Sequence, residues 1–151
     1  MPDYQTPSEV RYRIQTPNSS PRRIRVIALT DNDPEVASCR TYADVEFAMA
    51  SDLAALSQSS DASADLDSEV LSEWLGTPDT VVISGRDGDD ARAMAIAART
   101  YRMHGVTVSV VISPSDRKSN STADMLRPYS TMMVLPTKAG YLDDLLSALG
   151  A

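Results

Sequence analysis

The chain has 151 residues with a formal net charge of -7, from 21 acidic against 14 basic side chains. That length suits one domain able to bury a core without disulfides or metals, and the lone Cys39 excludes an intrachain disulfide. The acidic balance opposes binding to phosphate backbones, and no apolar run approaches the roughly 18 residues of a membrane span, so we expect a cytoplasmic protein that binds no nucleic acid. Lys118 and Lys138 are the only lysines, and this aspartate-rich, lysine-poor bias is what adaptation to high salt produces.

Residues 1–22 carry Pro2, Pro7, Pro17 and Pro21 among polar residues, too little apolar surface to offset the entropy of ordering, and are expected to form a flexible tail. Within it Val10-Arg11-Tyr12-Arg13-Ile14 alternates apolar and basic residues, which suits a strand added to a sheet edge, so Arg11, Tyr12 and Arg13 are candidate partner contacts. Together with Arg22, Arg23 and Arg25 they make this end basic against an acidic body. A single α/β domain is expected over 23–151.

Ile24 to Leu29 reads as a buried parallel strand, closed by Thr30-Asp31-Asn32-Asp33-Pro34. Asn32 or Asp33 can cap a short helix with Pro34 at its first position and Glu35 in its first turn. Val45 to Met49 predicts a weaker strand, followed by Ser51-Asp52 and a short helical patch bearing Leu53 and Leu56. Ser57 to Ala64 has no periodicity and predicts a loop. Leu66, Val70, Leu71, Trp74 and Leu75 recur at helical spacing, with Asp65 or Asp67 to cap and Gly76 to stop, and Trp74 is expected in the core.

Thr80 to Ile112 is the organising unit: an apolar strand, a turn rich in glycine and aspartate, an alanine-rich helix and a second apolar strand, the pattern of a parallel βαβ crossover. Ala91, Met94, Ala97, Ala98 and Tyr101 form one face of that helix, with Arg92, Arg99 and Arg102 broadly opposite. Gly105 suits a left-handed cap, and His104 beside it is favoured by the helix dipole rather than placed for catalysis. Ser113 to Thr122 predicts an exposed loop, followed by a short helix to Arg127, a last strand over Thr131 to Leu135 ended by Pro136, and an amphipathic helix with Tyr141, Leu142, Leu145, Leu146 and Leu149. The alternation predicts a three-layer α/β/α, Rossmann-like fold with a largely parallel sheet.

In such a sheet the loops after Leu29 and after Ser84 emerge at one edge, where Asp31, Asp33, Asp87, Asp89 and Asp90 could converge. Asp31, Asp33 and Asp89 are the candidate ligands for a hard cation such as Mg²⁺. Gly85 and Gly88 stand where a glycine turn before a helix exposes amides to phosphate, but Asp89 and Asp90 oppose a polyphosphate and are expected to cap that helix instead. One histidine and one cysteine are too few for a zinc site built from them.

The order of segments resembles the nucleotide-binding half of the tubulin/FtsZ family. IRVIAL (24–29) is similar to its first strand, DVEFAMASDLAAL (44–56) to its VEFIAVNTDAQAL pattern, and DTVVISG (79–85) to the strand entering its signature loop. HGVTVSVVISP (104–114) and LRPYSTMMVLP (126–136) follow its next two strands. The resemblance implies nucleotide contacts at Asp31, Ser51, Gly85, Gly88, Asp89 and Asp90, and GTP with Mg²⁺ as the ligand. Yet Arg86-Asp87-Gly88-Asp89-Asp90-Ala91-Arg92 stands where the family has G-G-G-T-G-T-G, Thr30 to Asp33 replaces its first glycine-rich loop, and the sequence ends before its central helix and C-terminal domain. The resemblance therefore implies a reduced, non-catalytic relative without a cofactor, acting in cell division or cytoskeletal assembly by binding a filament-forming homologue or a second copy of itself.

Two other readings start from the same residues. Asp31-x-Asp33 after one strand and Gly88-Asp89-Asp90 after a later one resemble the Mg²⁺-dependent haloacid-dehalogenase phosphatases, although no lysine lies between Asp33 and Asp87 to balance the charge. A small-ligand-binding Rossmann-like module, with the YjeF-type epimerase domains as one glycine-loop example, is the other.

Overall fold

The structure is a computed structural model that describes residues 23–59, 68–114 and 121–151. Residues 1–22, with Arg11, Tyr12 and Arg13, lie outside the described residues, as do the capping candidates Asp65 and Asp67.

Five strands form one all-parallel sheet: β1 (Ile24–Ala28), β2 (Val45–Met49), β3 (Thr80–Arg86), β4 (Thr107–Ser113) and β5 (Met132–Val134), in the order β2-β1-β3-β4-β5. The helices are α1 (Pro34–Ser38), α2 (Ala50–Ser59), α3 (Ser68–Leu75), α4 (Arg92–Met103), α5 (Ser121–Leu126) and α6 (Tyr141–Ala148), with a 3₁₀ turn over Arg127–Tyr129. The expected Rossmann-like α/β fold is present. Among the described residues no helix is long and apolar enough to cross a membrane.

The period of two along each strand sorts its side chains into two cores. Ile27, Val81, Ile83, Val108 and Val110 meet Leu53 of α2, Leu75 of α3, the Met94, Ala97, Ala98 and Tyr101 face of α4, and Leu126 of α5. Val26, Val82 and Val111 turn the other way, onto Val36 of α1, Cys39, and Leu142 and Leu146 of α6. Both faces of the central strands are therefore covered, which is why they read as unbroken apolar runs. Cys39 is fully buried, and burial raises its thiol pKa.

Three expectations are corrected. Arg25, grouped by sequence with a basic tail, faces the first core and is 7% exposed. One of its terminal nitrogens donates to the Trp74 and Leu75 carbonyls and to the Tyr101 hydroxyl, and its Nε pairs with Glu46 at 3.2 Å. It thus supplies the cation and donors that the C-terminus of α3 needs, where Gly76 turns left-handed with φ of 65°. Trp74 is half-buried and stacks under that guanidinium, 4.5 Å from ring centroid to Cζ. The aperiodic stretch predicted as a loop from Ser57 is helical through Ser59. Thr122, placed by sequence in an exposed loop, is buried on the first turn of α5.

Candidate functional site

The order β2-β1-β3-β4-β5 puts the topological switch between β1 and β3, because the chain leaves β1 toward one edge and β3 toward the other. Ligands of open α/β sheets sit outside the C-terminal ends of the strands at that switch, bordered here by the loops after β1 and β3.

The loop after β3 is a tight turn. Asp89 N–H donates to the Arg86 carbonyl at 3.0 Å, and Gly88 occupies the third position with φ of 99°, a conformation that glycine adopts without strain. Every amide of the turn has an internal acceptor. Arg86 N–H donates to Asp89 Oδ2 at 2.8 Å, Asp87 N–H to the Ser113 carbonyl at 3.0 Å, and Gly88 N–H to Thr122 Oγ1 at 3.0 Å. Thr122 Oγ1 in turn donates to the Asp89 carbonyl at 2.6 Å, so α5 bolts the turn shut. A phosphate cradle needs these donors pointing outward and unengaged.

The expected capping by both aspartates holds for Asp90, which takes the first amide of the helix, and is corrected for Asp89. The N-cap position of α4 is Ala91, with no side-chain cap, and Asp89 folds back over the turn instead of reaching the helix. Asp90 accepts from Arg92 N–H at 3.0 Å and pairs with the Arg92 guanidinium at 2.8 Å. Hydrogen bonding from Arg92 lowers the Asp90 carboxyl pKa. Gly85 likewise has another role than turning the chain: it is buried inside β3, and an added Cβ would fall against Leu29, within 2.9 Å of Cγ. It is a packing glycine between two adjacent strand ends.

In the loop after β1, Asp33 Oδ1 accepts from Glu35 N–H and Val36 N–H at 2.9 and 3.2 Å, making it the expected N-cap of α1. Its Oδ2 accepts from the Ser84 hydroxyl at 2.8 Å, which ties the loop after β1 to the end of β3. Asp31 is exposed and accepts from Ser51 at 2.8 Å, so these two candidates do meet. Asp31, Asp33 and Asp89 are not assembled as a ligand set: no group of three or more His, Cys, Asp or Glu positioned to hold a metal occurs among the described residues. Asp33, with both carboxylate oxygens engaged, is poorly placed to ligate Mg²⁺ in the phosphatase manner. His104 is exposed at the C-cap of α4, as the sequence indicated.

Beside the closed turn lies a crevice of about 240 Å³, lined among others by Asp33, Glu35, Arg86, Ser113, Thr137 and Lys138. Glu35 reaches across to Gly140 N–H at 2.9 Å and supplies the cap that α6 lacks. A mainly apolar cleft adjoins it, lined by Ile112, Pro114, Ala123, Leu135 and Pro136, with Asp87, Ser113 and Thr137 also in its wall. Sequence reasoning missed Thr122, Arg86, Glu35 and Lys138. The signal for Lys138 was present, since a loop following the last parallel strand opens on the same edge as the other βα loops. Comparison with protein-family models and with curated proteins finds no match to this chain.

Proposed function

We propose that this chain is a non-catalytic interaction or regulatory protein: a tubulin/FtsZ-like domain whose nucleotide loop has closed on itself, acting in cell division or cytoskeletal assembly by docking on a filament-forming homologue. The observation that carries the non-catalytic half is the engagement of four consecutive amides, Arg86 through Asp89, within the protein. With Asp89 and Asp90 adding fixed negative charge, a triphosphate meets no free amide at residues 86–89 and an unfavourable local field. The family half rests on the similar segments at 24–29, 44–56, 79–85, 104–114 and 126–136. Adaptation to a salty cytoplasm fits the surplus of aspartate over lysine; the melting temperature then rises in molar KCl.

Pull-down and co-sedimentation of the full chain with the filament-forming tubulin/FtsZ homologues of its own cell test this reading. Saturable association, with no GTP hydrolysis contributed by this chain, is expected. Absence of association with any of them overturns it. The small-ligand module is the second reading, favoured by the crevice beside Arg86.

A further inference from the structure

The crevice beside the closed turn has an unequal balance of charge. Its walls carry two carboxylates and two cations, Asp33, Glu35, Arg86 and Lys138. Both carboxylates are engaged by the protein itself: Asp33 by two amides of α1 and the Ser84 hydroxyl, Glu35 by the Gly140 amide. Neither the Arg86 guanidinium nor the Lys138 ammonium has a hydrogen-bond or ion-pair partner among the described residues. Asp144, which lines the cleft on the far side of Lys138, is not paired with it. Ser113 and Thr137 add hydroxyls that can donate. The groups still available to a ligand are thus cationic or donors, on a chain whose net charge is -7.

We propose that this crevice binds a small organic anion through one phosphate or carboxylate group, with Arg86 as the planar donor fork and Lys138 as the second charge. At about 240 Å³ it lies below the roughly 300 Å³ at which pockets for drug-sized molecules begin, which selects a compact metabolite over a nucleoside triphosphate. Its apolar neighbour, with Pro114 and Leu135, receives the carbon skeleton. This site needs no amide from the closed turn and no filament partner, so it stands or falls separately from the docking function.

The test is a titration of the full chain with inorganic phosphate and, in a second arm, with succinate, followed by amide chemical shifts and calorimetry. Saturable shifts centred on Ser113, Thr137 and Lys138 are expected with at least one of the two probes, and the arm that binds more tightly identifies the anionic group. Arg86→Gln and Lys138→Gln should each weaken that binding about tenfold, the loss expected for one charge-assisted contact, without changing the melting temperature. Arg92→Gln, which removes a cation already paired with Asp90, should leave it unchanged. The proposal is overturned if neither probe saturates, or if saturation survives the Arg86→Gln/Lys138→Gln double substitution. Loss of filament association alone would sink the docking function and leave this result intact.

Discussion

The hydroxyl of Thr122 donates to the carbonyl of Asp89 at 2.6 Å while accepting from the amide of Gly88 at 3.0 Å, so one side chain on α5 clamps the second half of the turn after β3. Thr122→Val keeps the shape and removes both bonds, leaving the Gly88 amide without its acceptor. The expected loss is about 1–3 kcal/mol in urea unfolding, with faster hydrogen exchange at Gly88 than at Val82 in the core of β3.

Gly85→Ala tests whether that glycine serves packing. The new methyl would press on Leu29, so destabilisation of about 1–3 kcal/mol is expected from overpacking. Adding Leu29→Ala should restore part of that loss even though it removes buried surface by itself. A purely additive double mutant would show that Gly85 answers to something other than Leu29.

Arg25 offers a contrast with the surface arginines. Replacing it by Met retains the aliphatic stem but removes the Arg25 donor from the Trp74 carbonyl, leaves the Leu75 carbonyl with the Tyr101 hydroxyl, and takes away the partner of the exposed Glu46. A loss of about 1–3 kcal/mol is expected, with a shift in the emission of Trp74, the only tryptophan. Arg99→Met or Arg102→Met, on the exposed face of α4, should stay within about 0.5 kcal/mol.

The Asp90–Arg92 pair is solvent-exposed, with 60% and 80% of the two side chains accessible, so solvent screening keeps its contribution to stability small. Its pH dependence has a definite sign. The folded carboxyl pKa is lowered, so the contribution is present above the ordinary aspartate range and is lost as pH falls through the depressed folded value. Titration of the Asp90 side-chain carbon by NMR should show the low midpoint in the native chain and a rise toward the ordinary value in Arg92→Gln.

Much of the architecture was legible because the strands at 24–28, 80–86 and 107–113 are buried on both faces, and the α4 face of Met94, Ala97, Ala98 and Tyr101 repeats at helical spacing. Local signals such as Asp33-Pro34-Glu35 and Gly76 also state their own geometry. The site was less legible for a physical reason: its decisive contacts join residues far apart in the chain. Asp33 and Ser84 are separated by 51 positions, and Gly88 and Thr122 by 34. Arg25 misleads for the same reason, since only the carbonyls at the end of α3 reveal that the charge is buried. Composition identified the turn as acidic, but only the fold showed Asp89 bent back onto Arg86.

Closure of the turn after β3 is tested most directly by calorimetry of the full chain with GTP and Mg²⁺, run beside inorganic phosphate. GTP is expected to bind no more tightly than phosphate itself, in the native chain and in Thr122→Val alike. Micromolar GTP binding that requires Mg²⁺ and exceeds phosphate binding would contradict the closed turn and restore a nucleotide site at Gly85 to Asp90.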